Sequence, residues 1–223
     1  MEIYSLLEGA ERATGSVAVI DVFRAFTTAA VALANGAASI VMVRSVEGAL
    51  ALREAGLGQI CMGEVQGRAP DGFHFGNSPF EISAVDFRGK TIIERTSAGT
   101  QGIVASNRAE RLYAASLVTA EATVRALLSG SPNQVSLVAM GDSGIRRADE
   151  DELCAIHLRN RLEVRPGDPD AIRAGQVRKW ETSRARKKAS PRPRAANSSR
   201  SRAPTIEDDA QLFGDCRGFE PVR

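Results

Sequence analysis

Residues 17–28 carry the sequence VAVIDVFRAFTT, and this stretch decides how the chain is expected to fold. An apolar run closes at Asp21 and is followed at once by Arg24, Thr27 and Thr28. This pattern predicts a buried strand that ends where a helix begins, which is where open α/β sheets bind anions and the metal ions that accompany them. A carboxylate for a cation and a guanidinium for phosphate oxygens suffice for phosphoryl chemistry. A helix-capping Asp and a surface Arg explain the same residues equally well.

Composition indicates a soluble protein with one domain of ordinary size. The 223 residues are 43% hydrophobic and 25% charged, which is average for a globular protein. No apolar run reaches the roughly 18–20 residues of a membrane helix, and the first 15 residues lack the basic segment of a secretory signal. Three cysteines without metal-ligand spacing and two distant histidines argue against a disulfide framework or a zinc centre. We therefore expect a cytoplasmic protein without membrane contact.

Strand-like and helix-like segments alternate along the chain up to about residue 163. This alternation predicts an α/β fold with a layered, mostly parallel sheet flanked by helices. The predicted strands cover residues 17–22, 39–43, 59–62, 90–93, 111–114 and 134–140, and the predicted helices cover residues 27–35, 46–55, 100–107, 119–128 and 149–162.

The C-terminal part of the chain has a different composition. Residues 175–223 hold 12 Lys or Arg against 6 Asp or Glu, although the whole chain has a net charge of only +2. Residues 176–204 contain ten basic residues and almost no aliphatic ones, which predicts disorder. We therefore predict a domain over residues 1–175 and a basic, low-complexity tail over residues 176–223. Trp180 is the only aromatic residue among the basic ones, which argues against a nucleic-acid partner.

Polar residues also follow other predicted strands. Glu64 comes just after the third of them, and a glycine-rich loop at residues 66–79 ends in Asn77 and Ser78. The fourth predicted strand leads into a loop that combines an arginine, a glycine and three hydroxyls, a composition that suits an anion cradle. The candidate residues of this loop are Arg95, Thr96, Ser97, Gly99 and Thr100.

Candidate site residues also follow the last predicted strand. Gly141 follows it, and Glu150 and Asp151 lie in the first turn of the next helix, where the helix dipole alone would favour acids. A capped loop without a ligand explains each of these clusters taken singly. The carboxyl ends of parallel strands share one edge of a sheet, however, so we expect these groups to converge on one site.

Six motifs occur in a fixed order: IDVFRAFTTA, ALANGA, MGEVQG, GFHFGNSPFEI, RTSAGTQG and ADEDELCA. This ordered set covers roughly residues 15–175 and resembles the 2-phosphosulfolactate phosphatase family. The resemblance implies the α/β fold of that family and Mg²⁺-dependent hydrolysis of a phosphate monoester on a small 2-hydroxy acid. The reaction named for the family converts 2-phosphosulfolactate to sulfolactate in coenzyme M biosynthesis.

The residues and the resemblance together give a hypothesis for the site. Its metal ligands are Asp21, Glu64, Glu150 and Asp151, with Mg²⁺ as the cofactor. Its catalytic residues are Asp21, Arg24, Arg95, Thr96, Ser97 and Thr100. Its substrate-binding residues are Thr27, Thr28, Asn77, Ser78, Gly99 and Gly141. Asp21 is open to two roles, as a metal ligand or as a nucleophile that attacks phosphorus.

Two features depart from the family pattern. His74 stands where the family has an acid, and the basic tail replaces the segments with which relatives continue past residue 175, as a change of reading frame would do. The alternative is therefore a degenerate, non-catalytic member that binds an anion or a protein partner. The expected partner is a small anionic phosphorylated substrate, and a homodimer through a sheet edge or the loop at residues 66–79 is compatible with the sequence.

Overall fold

The protein is built on two β-sheets. The computed structural model describes residues 1–163 and residues 210–213. The strands are β1 (Glu2–Ser5), β2 (Gly15–Ile20), β3 (Ser39–Val43), β4 (Ile60–Gly63), β5 (Thr91–Arg95), β6 (Ala109–Ala115), β7 (Val135–Ala139) and β8 (Ala210–Phe213). The first sheet has the strand order β1-β7-β2-β6 and is parallel throughout. The second sheet has the order β4-β5-β3-β8, in which only β8 runs antiparallel to its neighbour.

Helices connect most of the successive strands, as parallel pairing requires. They are α1 (Leu6–Arg12), α2 (Ala25–Ala34), α3 (Val46–Glu54), α4 (Gly99–Ala105), α5 (Ala120–Ser129) and α6 (Asp149–Leu162), with a short 3-10 helix at Leu117–Thr119 before α5. None of the helices in the described residues is long and apolar enough to span a bilayer.

The helices α1, α2 and α4 form a layer between the two sheets. One hydrophobic cluster joins Val19 of β2, Ile40 of β3, Phe26 of α2 and Ile103 of α4, each at most 1% exposed. Helix α4 contacts strands of both sheets, and small side chains allow this approach. At Gly102, an added Cβ would lie 2.9 Å from a Val19 methyl group, which is closer than ordinary van der Waals contact.

The outer faces of both sheets are covered as well. Successive residues of β2 alternate, with Val17 and Val19 in the central cluster and Ala18 and Ile20 in a second cluster with α5 and α6. In the second sheet, α3 packs on the outer face in a third cluster. Because β2 is buried on both faces, its sequence is a continuous apolar run rather than an alternating one.

The predicted α/β class with a mostly parallel arrangement flanked by helices is confirmed, and the strands are divided between two sheets. The alternation of elements is the same for one sheet and for two, because it does not reveal which strands are neighbours. Strand β1 and helix α1 were not predicted, since the residues EIYS and LLEGAER are too short and too mixed in polarity to give a clear period.

Strand β8 falls inside the predicted tail. Its four residues pair with Ile40–Val43 of β3, so this part of the tail belongs to the second sheet. The remainder of the predicted tail and the domain boundary at residue 175 lie outside the described residues.

Gly63 allows the close approach of β4 and β5 just before Glu64. Its φ is +139°, and an added Cβ would lie 1.9 Å from the carbonyl oxygen of Arg95. We expect Gly63→Ala to lower the free energy of unfolding by about 3 kcal/mol or more, since backbone strain and steric overlap each cost about 1–3 kcal/mol. Gly56→Ala is the control, because Gly56 also has a positive φ but an added Cβ there meets no atom within 4 Å. Equal losses of unfolding free energy in the two variants, measured by urea denaturation, would contradict this account of the strand ends.

Candidate active site

A cavity of about 440 Å³ opens where the strands of both sheets end. Its walls come from the segments that follow β2 and β7 in the first sheet and β4 and β5 in the second, together with the start of α6. The structure therefore brings together groups from four separate strand ends. The predicted residues that line the cavity are Asp21, Arg24, Glu64, Asn77, Ser97, Gly141 and Glu150.

Asp21 joins the starts of two helices in the central layer. Its Oδ1 accepts a hydrogen bond from the backbone N–H of Ala25 at 3.1 Å, at the start of α2. Its Oδ2 accepts one from the N–H of Gly99 at 2.8 Å, at the start of α4. Asp21 is not the N-cap of α2, which is Arg24, but its carboxylate accepts from the first N–H group of that helix and also lies on the cavity wall. Each oxygen keeps a lone pair that these two bonds do not use.

Two further carboxylates bridge backbone segments in the same manner. The oxygens of Glu64 accept from the N–H groups of Ser97 at 2.6 Å and Gly67 at 2.5 Å. Those of Asp151 accept from the N–H groups of Val22 at 2.8 Å and Gly141 at 2.7 Å. Asp151 does not line the cavity itself, so the structure places it behind the wall as a residue that positions Gly141.

Two buried carboxyl groups at the site, those of Asp21 and Asp151, have raised pKa values. Burial raises the pKa of Asp21 to about 6, and the neighbouring Glu64 and Glu150 add to the shift against the backbone hydrogen bonds. Burial and the charge of Asp21 raise the pKa of Asp151 to about 8. Such a cluster of acids with raised pKa values is typical of functional sites, where a bound cation favours their charged forms.

Arg24 is the only cationic side chain on the cavity wall within the described part of the chain. It lies at the start of α2 and is partly exposed. Asn77 is only 8% exposed, and its Oδ1 accepts no hydrogen bond from any described residue. This buried amide oxygen is therefore open to a hydrogen bond or a metal contact from a group that enters the cavity, such as a water, an ion or a ligand.

The predicted anion cradle at residues 95–100 stays a prediction, although several donors of this loop are engaged within the protein. The N–H groups of Ser97 and Gly99 bind Glu64 and Asp21. Thr96 and Thr100 are buried, and the hydroxyl of each accepts from the backbone N–H of the other. The two threonines therefore fix the loop, and neither lines the cavity.

Arg95 also forms hydrogen bonds that connect segments of the protein to one another. Its guanidinium donates to the carbonyl oxygens of Arg44 and Glu64 at 3.1 and 2.8 Å, and it does not line the cavity. The sequence could not reveal this, because these carbonyl groups belong to segments that are distant along the chain.

Four predicted substrate-binding residues also lie behind the wall. The Thr27 hydroxyl donates to the carbonyl oxygen of Val22, and the Ser78 hydroxyl accepts from the N–H of Glu81. Thr28 is fully buried, and Gly99 contacts the site through its bond to Asp21. These four residues do not line the cavity.

Six residues of the cavity wall were not among the predicted site residues: Phe23, Gln66, Gly67, Ala98, Asp142 and Ser143. Positive φ values at Gln66, Gly67 and Ser143 mark sharp turns that bring these residues to the wall. The glycine-rich composition of the loop at residues 66–79 was a usable signal for Gly67. Nothing in the local sequence distinguishes Phe23 or Ala98.

The cavity suits a hard cation that carries some of its own water. In the described residues, no three side chains of the types His, Cys, Asp or Glu are grouped closely enough to hold a metal ion. Mg²⁺ needs only one or two carboxylates, with water and substrate oxygens as its other ligands. The oxygens of Asp21, Glu64, Glu150 and Asn77 on the wall fit this requirement.

Comparison with known proteins agrees with this arrangement. Residues 2–199 match the family model described as 2-phosphosulpholactate phosphatase. The chain belongs to this family. It is 39% identical over 145 residues to a protein of Thermotoga maritima named "Probable 2-phosphosulfolactate phosphatase", an alignment that covers 65% of this chain and 61% of the relative. A protein of Bacillus subtilis with the same name is 30% identical over 147 residues, covering 65% of this chain and 63% of the relative.

A third phosphosulfolactate phosphatase relative, from Deinococcus radiodurans, is 37% identical over 130 residues, which cover 56% of this chain and 53% of the relative. In each of these three comparisons the chain spans less than two thirds of the relative's length. The matched region includes the strands, helices and loops that form the cavity, because the family model extends from residue 2 to residue 199.

The raised pKa of Asp151 predicts that stability falls as pH rises. In the folded protein this carboxyl binds its proton more tightly than its ordinary value of 3.8 implies, with a pKa of about 8. The contribution of this carboxyl to the free energy of unfolding is complete below about pH 4 and is lost as pH increases through about 8. In EDTA, we expect the free energy of unfolding to fall between pH 5 and 9 by at least about 1.4 kcal/mol, the equivalent of one pKa unit.

Two variants isolate the group responsible. Asp151→Asn should reduce the fall in stability above about pH 6, because the carboxyl that titrates there is removed, whereas Asp21, with a pKa of about 6, still contributes below that pH. Asp149→Asn should leave the slope unchanged, since Asp149 is exposed on the same helical turn. A slope that is identical in all three proteins would contradict the assignment to Asp151.

Proposed function

We propose that this protein hydrolyses the phosphate monoester of a small 2-hydroxy acid of the 2-phosphosulfolactate type, with Mg²⁺ as cofactor. The observation that carries the proposal is the cavity whose lining includes Asp21, Glu64, Glu150, Arg24 and Asn77. Carboxylates and a guanidinium in one cavity suit a divalent cation and the phosphate that it neutralises. The names of the relatives support the same substrate class.

Asp21 and Glu150 are the proposed ligands for the cation. Both are at most 5% exposed, and both line the cavity. Glu64 lies beside them, and its charge contributes to the raised pKa of Asp21. When bound, Mg²⁺ supplies Lewis-acid stabilisation of the phosphoryl oxygens and lowers the pKa of a bound water.

The remaining wall residues bind and orient the phosphate. Arg24 has its guanidinium available, because no described residue forms an ion pair or hydrogen bond with it. Charge-assisted hydrogen bonds from this group oppose the negative charge that builds on the phosphoryl oxygens. The amide of Asn77 and the hydroxyl of Ser97 supply further polar groups on the cavity wall.

The assay measures phosphate release from 2-phosphosulfolactate by the purified chain. We expect activity with Mg²⁺ and its loss in EDTA, with recovery when Mg²⁺ is restored. Glu150→Gln should lower kcat/KM by about 100-fold or more, the usual cost of removing one electrostatic group from an active site. It should also weaken the rise in melting temperature that Mg²⁺ produces, which reports metal binding without turnover.

Asp149→Asn is the matched control, because Asp149 is exposed on the same turn of α6 as Glu150. It should keep both the activity and the response to Mg²⁺. A folded protein that binds phosphate or sulfolactate but releases no phosphate would favour the non-catalytic alternative. Full activity in EDTA would contradict the proposed role of the metal.

A further inference from the structure

The charge balance of the cavity raises a question about the rest of the substrate. Four carboxylates line the described wall, those of Asp21, Glu64, Asp142 and Glu150, against the single guanidinium of Arg24. If the proposed function holds, Arg24 and the cation are engaged by the phosphate. A second anionic group on the substrate would then face carboxylates, and uncompensated like charges are costly. A second cation close to the described wall would offset this repulsion.

Arg146 is bonded to a residue of the cavity wall, although it does not line the wall itself. Asp142 follows β7 and lines the cavity, and its carboxylate accepts a hydrogen bond from an Nη of Arg146. The two backbones also pair, with the N–H of Asp142 donating to the carbonyl oxygen of Arg146 at 2.7 Å. The guanidinium is thus attached to a residue of the wall, while its side chain remains 67% exposed.

The loop that carries Arg146 is fixed at both sides of the turn. The N–H of Gly141 donates to Asp151 at 2.7 Å, and the carbonyl oxygen of Gly144 accepts from the N–H of Leu7 at 3.0 Å. Gly141 has a φ of +66°, and an added Cβ would lie 2.1 Å from the carbonyl oxygen of Arg146. A pre-organised loop loses little conformational entropy when a ligand binds, which favours recognition at this position.

We propose that Arg146 binds the second anionic group of the substrate, a carboxylate or sulfonate next to the phosphate-bearing carbon. A guanidinium carries five N–H donors, so one edge can remain on Asp142 while the other binds an anion. Asp142 then positions Arg146 at the rim of the cavity. Arg146 selects among phosphate monoesters and takes no part in breaking the P–O bond.

Other arginines near the cavity are less suitable. Arg95 is engaged with the carbonyl oxygens of Arg44 and Glu64. Arg147 pairs with Glu152 at 3.3 Å, and this partner, unlike Asp142, does not line the cavity. Arg68 is exposed and sits on a turn closed by its backbone bonds to Val65, so it is the competing candidate.

The test uses two substrates that differ in one charge, 2-phospholactate and its carboxyl methyl ester. The measured quantity is the ratio of kcat/KM for the acid to that for the ester, which cancels effects on phosphate transfer. We expect Arg146→Gln to lower this ratio by about 10- to 100-fold, the range for hydrogen bonds to a charged group. Arg147→Gln should leave the ratio unchanged, because its partner Glu152 lies off the cavity wall.

Each outcome has a distinct meaning. A drop in the ratio for Arg68→Gln but not for Arg146→Gln would overturn the assignment and transfer it to the loop at residues 66–79. An unchanged ratio in both variants would also overturn it while the proposed function stands. Hydrolysis of neither substrate by the wild-type protein, with Mg²⁺ present, would remove the proposed function and this inference together.

Discussion

The carboxylate of Asp21 is the interaction on which the rest of the structure depends. By accepting the N–H groups of Ala25 and Gly99, it fixes where α2 and α4 begin, and both helices lie between the two sheets. The segment that follows β2 in one sheet and the segment that follows β5 in the other are therefore joined by the same carboxylate. The fold and the candidate active site share this one residue, so neither can change at this point without the other.

The backbone N–H groups beside this cavity do not have the partners that they have in many phosphate sites. In many α/β proteins the backbone N–H groups of a strand-to-helix loop bind the phosphate. Here the N–H groups of Ser97, Gly99 and Gly141 are occupied by Glu64, Asp21 and Asp151. The proposed phosphate would therefore be bound mainly by side chains and a cation, which is consistent with a wall rich in carboxylates.

The sequence predicted the class of the fold and most of the wall of the site. The apolar run of β2, closed by Asp21, placed this acid at a strand end, and the order of the motifs predicted that distant loops would meet. Roles within the loop at residues 95–100 were not predictable, because the partners of Thr96 and Arg95 depend on tertiary contacts. The division into two sheets was hidden for the same reason, since strand order is a property of packing rather than of local pattern.

The central claim is that the carboxylates of Asp21, Glu64 and Glu150 hold a divalent cation inside the cavity. Anomalous diffraction from a crystal of the protein grown with Mn²⁺ tests it most directly, because Mn²⁺ accepts the same oxygen ligands as Mg²⁺ and can be located by its scattering. The account predicts a peak within the cavity, bonded to a carboxylate oxygen of Asp21 or Glu150. Peaks found only at exposed acids, with none in the cavity, would contradict it.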